Sequence, residues 1–109
     1  MKRGEIWTVA GGPDYAGKPR PVVVVQDDRF GEIDSVTVCP FTSNPTAAPL
    51  FRVVVEPDDE NGLSTVSRLM ADKITTVPRA RLGRRIGQLD NETMLQLNRA
   101  MLVFLGMAG

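Results

Sequence analysis

LGRRIGQL, residues 82–89, runs directly into DNETMLQLNRAMLVFL, residues 90–105, and the periodicity of the chain changes at the junction. The first segment is strand-like but punctuated by Gly83 and Gly87, which suggests the bends of a small barrel. In the second, Asp90 is a good helix N-cap and Glu92 stands in the first turn, where negative charge is favourable. Met94, Leu97, Met101 and Leu105 then recur at helical spacing, and Gly106 is a natural stop. The spacing predicts a helix over 91–105 whose apolar stripe packs on a barrel or a partner subunit.

Upstream of this junction the chain reads as short strands. Glu5-Ile6-Trp7-Thr8-Val9 alternates polar and apolar residues, the period of a half-buried strand, which places Trp7 toward the core. Residues 11–21, GGPDYAGKPRP, hold three Gly and three Pro and predict a long loop. Pro21 to Gln26 is a β-branched run suited to a strand buried on both faces. Asp27–Asp34 is a polar turn, and Ser35–Phe41 is a further strand that leads into the turn residues Thr42-Ser43-Asn44-Pro45. Phe51–Val55 is a strand, Glu56–Gly62 an acidic turn, and Ser67–Val77 holds one or two more strands. The pattern predicts a mainly β fold, a small bent barrel with one C-terminal helix, in a single domain spanning 1–109.

Composition narrows the chemistry. The chain has 109 residues, 13 Lys+Arg against 13 Asp+Glu, no His and one Cys. An active site must therefore work without imidazole, the usual general base near neutrality. Cys39 alone cannot supply a zinc thiolate set or an internal disulfide, which suits a reducing, cytoplasmic setting. No apolar run is long enough for a signal peptide or membrane span. The zero net charge hides polarity: Arg68, Lys73, Arg79, Arg81, Arg84 and Arg85 face only Asp72 between 68 and 85. Two acidic turns, 27–34 and 56–60, balance them.

Several segments offer chemistry beside an ordinary structural reading. Arg20, bracketed by Pro19 and Pro21, enters a rigid strand and can offer a planar fork to a phosphate, or simply be a solvated or paired strand-entry residue. Thr42-Ser43-Asn44 can bind phosphate or a base edge, or make a turn. Asp72-Lys73 is either a structural ion pair or part of a site. Arg79, Arg81, Arg84 and Arg85 form a basic patch, with strand period placing Arg79, Arg81 and Arg85 on one side. Glu56–Glu60 can chelate Mg²⁺, although a solvated turn ending in Asn61-Gly62 is the simpler reading. Tyr15 is the aromatic best placed to stack on a base, whereas Trp7 and Phe51 belong with the core.

Taken in order, these segments carry a family pattern. Arg3-Gly4-Glu5-Ile6-Trp7, Gly17-Lys18-Pro19-Arg20-Pro21 with the Val run, and Val38-Cys39-Pro40-Phe41-Thr42-Ser43 resemble the MazF/PemK-type toxins. So do Asp72-Lys73-Ile74-Thr75-Thr76-Val77, the following Arg79, Arg81 and Leu82, and Gly87-Gln88-Leu89 before the helix. Those toxins are the endoribonuclease halves of bacterial toxin–antitoxin pairs. The resemblance implies an SH3-like barrel of the kind shared with CcdB-type gyrase poisons, and a homodimer. It implies metal-independent, cofactor-free cleavage of single-stranded RNA, commonly mRNA, at short sequences. A MazE-like cognate antitoxin would occupy the RNA groove with an acidic or apolar tail.

By the same resemblance Arg20, Thr42 and Asp14 form the catalytic set. RNA contacts would come from Tyr15, Lys18, Ser43, Asn44, Lys73, Thr76, Arg79 and Arg81. Met70 stands where some relatives carry a further arginine, and Lys73 where many carry Gln. The absence of His suits this chemistry, because RNA brings its own nucleophile, the 2′-OH. Attack by that hydroxyl leaves a 2′,3′-cyclic phosphate and a 5′-OH. The alternative is a gyrase-inhibiting toxin on the same barrel that cuts no RNA, although those toxins end in a Trp-containing tail and this chain ends Leu105-Gly106-Met107-Ala108-Gly109.

Overall fold

A computed structural model of the chain describes residues 1–10 and 19–108. The strands are β1 (Glu5–Val9), β2 (Arg20–Val24), β3 (Ser35–Thr42), β4 (Arg52–Val55), β5 (Ser67–Met70), β6 (Thr75–Pro78) and β7 (Leu82–Gln88), followed by the helix α1 (Asn91–Phe104). All pairings are antiparallel, in the order β4-β5-β3-β2-β1-β7, with β6 added along the first half of β3. Strand β3 therefore divides its length, pairing residues 35–38 with β6 and residues 41–42 with β5. This is the mainly β architecture with a C-terminal helix that the sequence predicts.

Most local expectations hold, with corrections at the edges. Strand β2 starts at Arg20 rather than Pro21, because Arg20 is in register with Val9 of β1. The polar turn at 27–34 contains a 3₁₀ turn, Asp28–Phe30, capped by Asp27, whose side chain accepts from the Arg29 amide at 2.9 Å. The stretch 67–77 resolves into β5 and β6, separated by a 3₁₀ turn at Ala71–Lys73.

The sheet buries both faces, as the Val run requires. On one face Ile6, Val23, Cys39 and Leu69 pack against Met94, Leu97 and Ala100 of α1. Leu97 is wholly buried, a placement that contributes about 1.5–3 kcal/mol. On the other face Val9, Val22, Val24, Val36, Val38 and Val77 form a second cluster, with Trp7 and Leu82 partly buried against it. Phe51 packs at the margin of the first cluster. Asp90 caps α1, accepting from the Thr93 amide and hydroxyl. Along the helical stripe Met94 and Leu97 are buried and Met101 packs partly against the same cluster, whereas Leu105, just past the helix, is 60% exposed in the single chain.

Between β4 and β5 the chain crosses the free side of β7. Asn61, 2% exposed, organises this crossing by accepting from the Asp58 and Leu63 amides and donating to the Glu56 carbonyl. Asp58 turns its carboxylate inward to the Glu60 and Asn61 amides at 2.8 and 2.7 Å. The acidic segment is thus a turn held by its own backbone, the simpler of its two readings. It joins β7 through a Gln88 amide to Glu60 carbonyl bond of 2.8 Å. A Cβ on Gly87 would lie 2.4 Å from the Asn61 carbonyl carbon and the Glu60 oxygen, so only glycine admits this approach.

Cys39 shows how dry the first cluster is. Burial pushes its thiol from a reference of 9.0 up to about 12, with Asp72 adding to the rise and a hydrogen bond with the Met70 backbone opposing it. Above 9.0 the unfolded chain loses this proton while the folded chain keeps it, so folding stability falls as pH rises toward about 12. Urea unfolding followed across that window should show a steeper loss for the native chain than for Cys39→Ala. Parallel curves would mean that the thiol is hydrated in the folded protein.

Candidate functional site

Arg20 occupies the place where two clefts meet. Its backbone belongs to β2 and is fixed by the β1 ladder, while its side chain is exposed. One cleft, of about 220 Å³, is lined by Arg20, Thr42, Ser43, Ser64, Thr65 and Ser67, among others. The second, of about 340 Å³, is lined by Arg20, Lys73 and Arg81 above an apolar floor that includes Val22, Val77 and Met70. Arg20 lines both, so an extended ligand bound there would run past a single guanidinium.

The first cleft is rich in hydroxyls. Thr42 ends β3 opposite Arg68 of β5, and its Oγ1 accepts from the Asn44 amide at 3.1 Å. That contact leaves the hydroxyl proton available to an anion. Ser43 follows on the same turn. Ser64 and Thr65 arrive from the 56–66 crossing, which Gly62 and Gly87 hold close to β7. Ser67 donates to the Thr65 carbonyl at 3.0 Å and is buried, so it supports the turn. Sequence reasoning missed Ser64 and Thr65, because no local motif marks them and only the crossing brings them to Arg20.

The second cleft gathers positive charge. Lys73 lies on the 3₁₀ turn after β5, and Asp72 beside it is committed elsewhere. Asp72 meets the Arg52 guanidinium at 3.2 and 3.4 Å, with both side chains largely buried. The ion pair suggested for Asp72-Lys73 is therefore an Asp72–Arg52 pair that anchors the turn to β4. Arg81 reaches the Ala10 carbonyl at 2.9 Å, which holds it at the cleft edge.

Other expected contacts fall apart in space. Arg79–Arg81 is a 3₁₀ turn, so strand period does not govern it and the expected one-sided row of Arg79, Arg81 and Arg85 does not form. Arg85 instead pairs with Glu5 at 3.5 Å and donates to Gln88. Burial acts to raise the Glu5 carboxyl, but the Lys2 amide, the Trp7 indole and Arg85 together hold it below its ordinary value. Arg79 lines neither cleft that Arg20 lines, and its Nε and Nη2 are buried without partners. Thr76 is spent on a 2.8 Å bond with Thr37, and the Asn44 side-chain Oδ1 on the amide and hydroxyl of Thr46. Neither residue lines those clefts. Asp14, Tyr15 and Lys18 lie outside the described residues.

A nucleophilic thiol is not part of this arrangement, since Cys39 is wholly buried. Among the described residues no three Cys, Asp or Glu side chains converge to hold a metal ion. No described helix is long and apolar enough to cross a membrane.

The family model described as the PemK-like, MazF-like toxin of type II toxin–antitoxin systems matches residues 2–105. The chain is 56% identical over 109 residues to a probable endoribonuclease MazF of Mycolicibacterium smegmatis, covering 100% of both chains. It is 32% identical to endoribonuclease MazF9 of Mycobacterium tuberculosis, covering 96% of each. In three dimensions it is similar to a mycobacterial endoribonuclease solved in complex with its cognate antitoxin, with a TM-score of 0.83, 24% identity and coverage of 100% and 98%. The chain belongs to the PemK-like, MazF-like family of toxins from type II toxin–antitoxin systems.

Proposed function

We propose that the chain is the toxin of a toxin–antitoxin pair and a metal-independent endoribonuclease that cuts single-stranded RNA by attack of the substrate's own 2′-OH. The observation that carries this reading is Arg20, set between a hydroxyl-lined cleft and a cationic one. As the 2′-oxygen adds to phosphorus, the phosphorane gains negative charge on its non-bridging oxygens. The guanidinium of Arg20 and the hydroxyls of Thr42 and Ser43 line the cleft where that charge develops and stabilise it as donors. Arginine does not give up its proton in proteins, so Arg20 acts electrostatically. Asp14 or water accepts the 2′-OH proton. The leaving 5′-oxygen takes a proton from solvent, which yields a 2′,3′-cyclic phosphate and a 5′-OH.

The family match does not favour the gyrase-poison alternative. The partner proposed beside RNA is a cognate MazE-like antitoxin that competes for the same groove, and the active species is a homodimer. The test is end chemistry. Cleavage should persist in EDTA, and the downstream fragments should be labelled by polynucleotide kinase without prior phosphatase treatment. Loss of cleavage in EDTA, or fragments carrying 5′-phosphates, would refute the 2′-OH mechanism.

A further inference from the structure

Resting on the ribonuclease reading, we infer that the cleft between Arg20, Lys73 and Arg81 is a nucleobase pocket that selects keto bases, guanine or uracil, beside the scissile phosphate. Lys73 is its discriminating residue. The cleft shares Arg20 with the hydroxyl-lined cleft. A nucleotide whose phosphate lies on Arg20 therefore has this second space within reach of its base. The floor belongs to the second hydrophobic cluster, Val22 and Val77 with Met70 beside them, and gives a base face an apolar surface to lie on. Floor and rim differ sharply in chemistry.

Three of the four polar side chains on the rim are cations, and Thr75 supplies the one hydroxyl. Lysine and arginine donate hydrogen bonds and accept none. Arg81 gives one N–H to the Ala10 carbonyl, which ties it to the cleft edge, and Arg20 is assigned to the phosphate, so the base edge is assigned to the untied cation, Lys73. Its charge is not cancelled by its neighbour, because Asp72 is locked to Arg52. A donor-only reader favours edges that present carbonyl oxygens, the O6 and N7 of guanine or the O4 of uracil. The exocyclic amines of adenine and cytosine point a second donor at Lys73, and on this rim only the single Thr75 side chain can accept from them.

The proposal predicts a particular outcome when fragment ends from total RNA are mapped. At one of the two positions flanking the cut, guanine plus uracil should exceed adenine plus cytosine by about tenfold or more. In Lys73→Gln, whose amide both donates and accepts, adenine should be admitted at that position. In Lys73→Met the preference should collapse. Lys73 is exposed, so both variants should fold, and the preferences at positions farther from the cut serve as the internal control. Adenine or cytosine dominating both flanking positions in the native protein would overturn the proposal, as would an unchanged preference in both variants. Absence of any cleavage by the native protein would instead remove the ribonuclease reading beneath it.

Discussion

Arg20→Ala should lower the single-turnover rate of RNA cleavage by about 10²–10³-fold while leaving the fold intact. The size follows from the role. A guanidinium aimed at a developing oxyanion in a partly enclosed cleft gives more in the transition state than in the ground state, so its loss falls mainly on the chemical step. Binding should weaken less, because Lys73 and Arg81 still attract the backbone. Arg20→Lys should recover only part of the rate, since a point charge cannot replace a planar fork presented to two oxygens. The side chain is exposed, so thermal unfolding separates a chemical defect from a structural one. A well-folded Arg20→Ala protein that cuts at the native rate would remove Arg20 from the mechanism.

The second large effect is expected far from any charged group. Gly87→Ala places a methyl 2.4 Å from backbone atoms of residues 60 and 61, and backbone cannot rotate out of the way as a side chain can. The crossing must lift, which strains or breaks the Gln88–Glu60 bond. Overpacking of this kind costs about 1–3 kcal/mol and occasionally more. Gly62→Ala meets the Ile86 carbonyl oxygen at 2.2 Å and also carries a φ of +69°, a left-handed conformation that adds about 1–2 kcal/mol for a non-glycine residue. Both variants should lower the urea midpoint. Because the same crossing delivers Ser64 and Thr65 to Arg20, both should also slow cleavage under conditions where the protein remains folded. A Gly87→Ala protein with native midpoint and native rate would show that the crossing is not held against β7.

The residues of the candidate site draw on different scales of information. Arg20 was legible because its determinants are adjacent in the chain: a proline on each side and a β-branched run after it. Thr42 and Ser43 were legible for the same reason, as hydroxyls at the end of an alternating strand. Arg79 misled because strand period was extended through a segment that turns as a 3₁₀ helix, where successive side chains rotate by about a third of a turn. Asp72 was ambiguous because its partner, Arg52, is 20 residues away. Ser64 and Thr65 were invisible because their proximity to Arg20 depends on two glycines, one of them in another strand.

Sequence alone therefore determined most of the strand order, the helix cap at Asp90, the mainly β class, the exclusion of imidazole and thiol-cluster chemistry, and the absence of an apolar run long enough for a membrane-spanning helix. Each follows from local periodicity, backbone preference or simple counts, which need no knowledge of distant partners. Only the tertiary structure decided which cations share a cleft, that Asp72 pairs with Arg52 instead of Lys73, and that a neutral chain presents two clefts meeting at one arginine. The reason is physical: a hydrogen bond or charge contact depends on distances of a few ångströms between residues tens of positions apart. Those distances are set by strand register and by close backbone crossings, which local propensity does not encode.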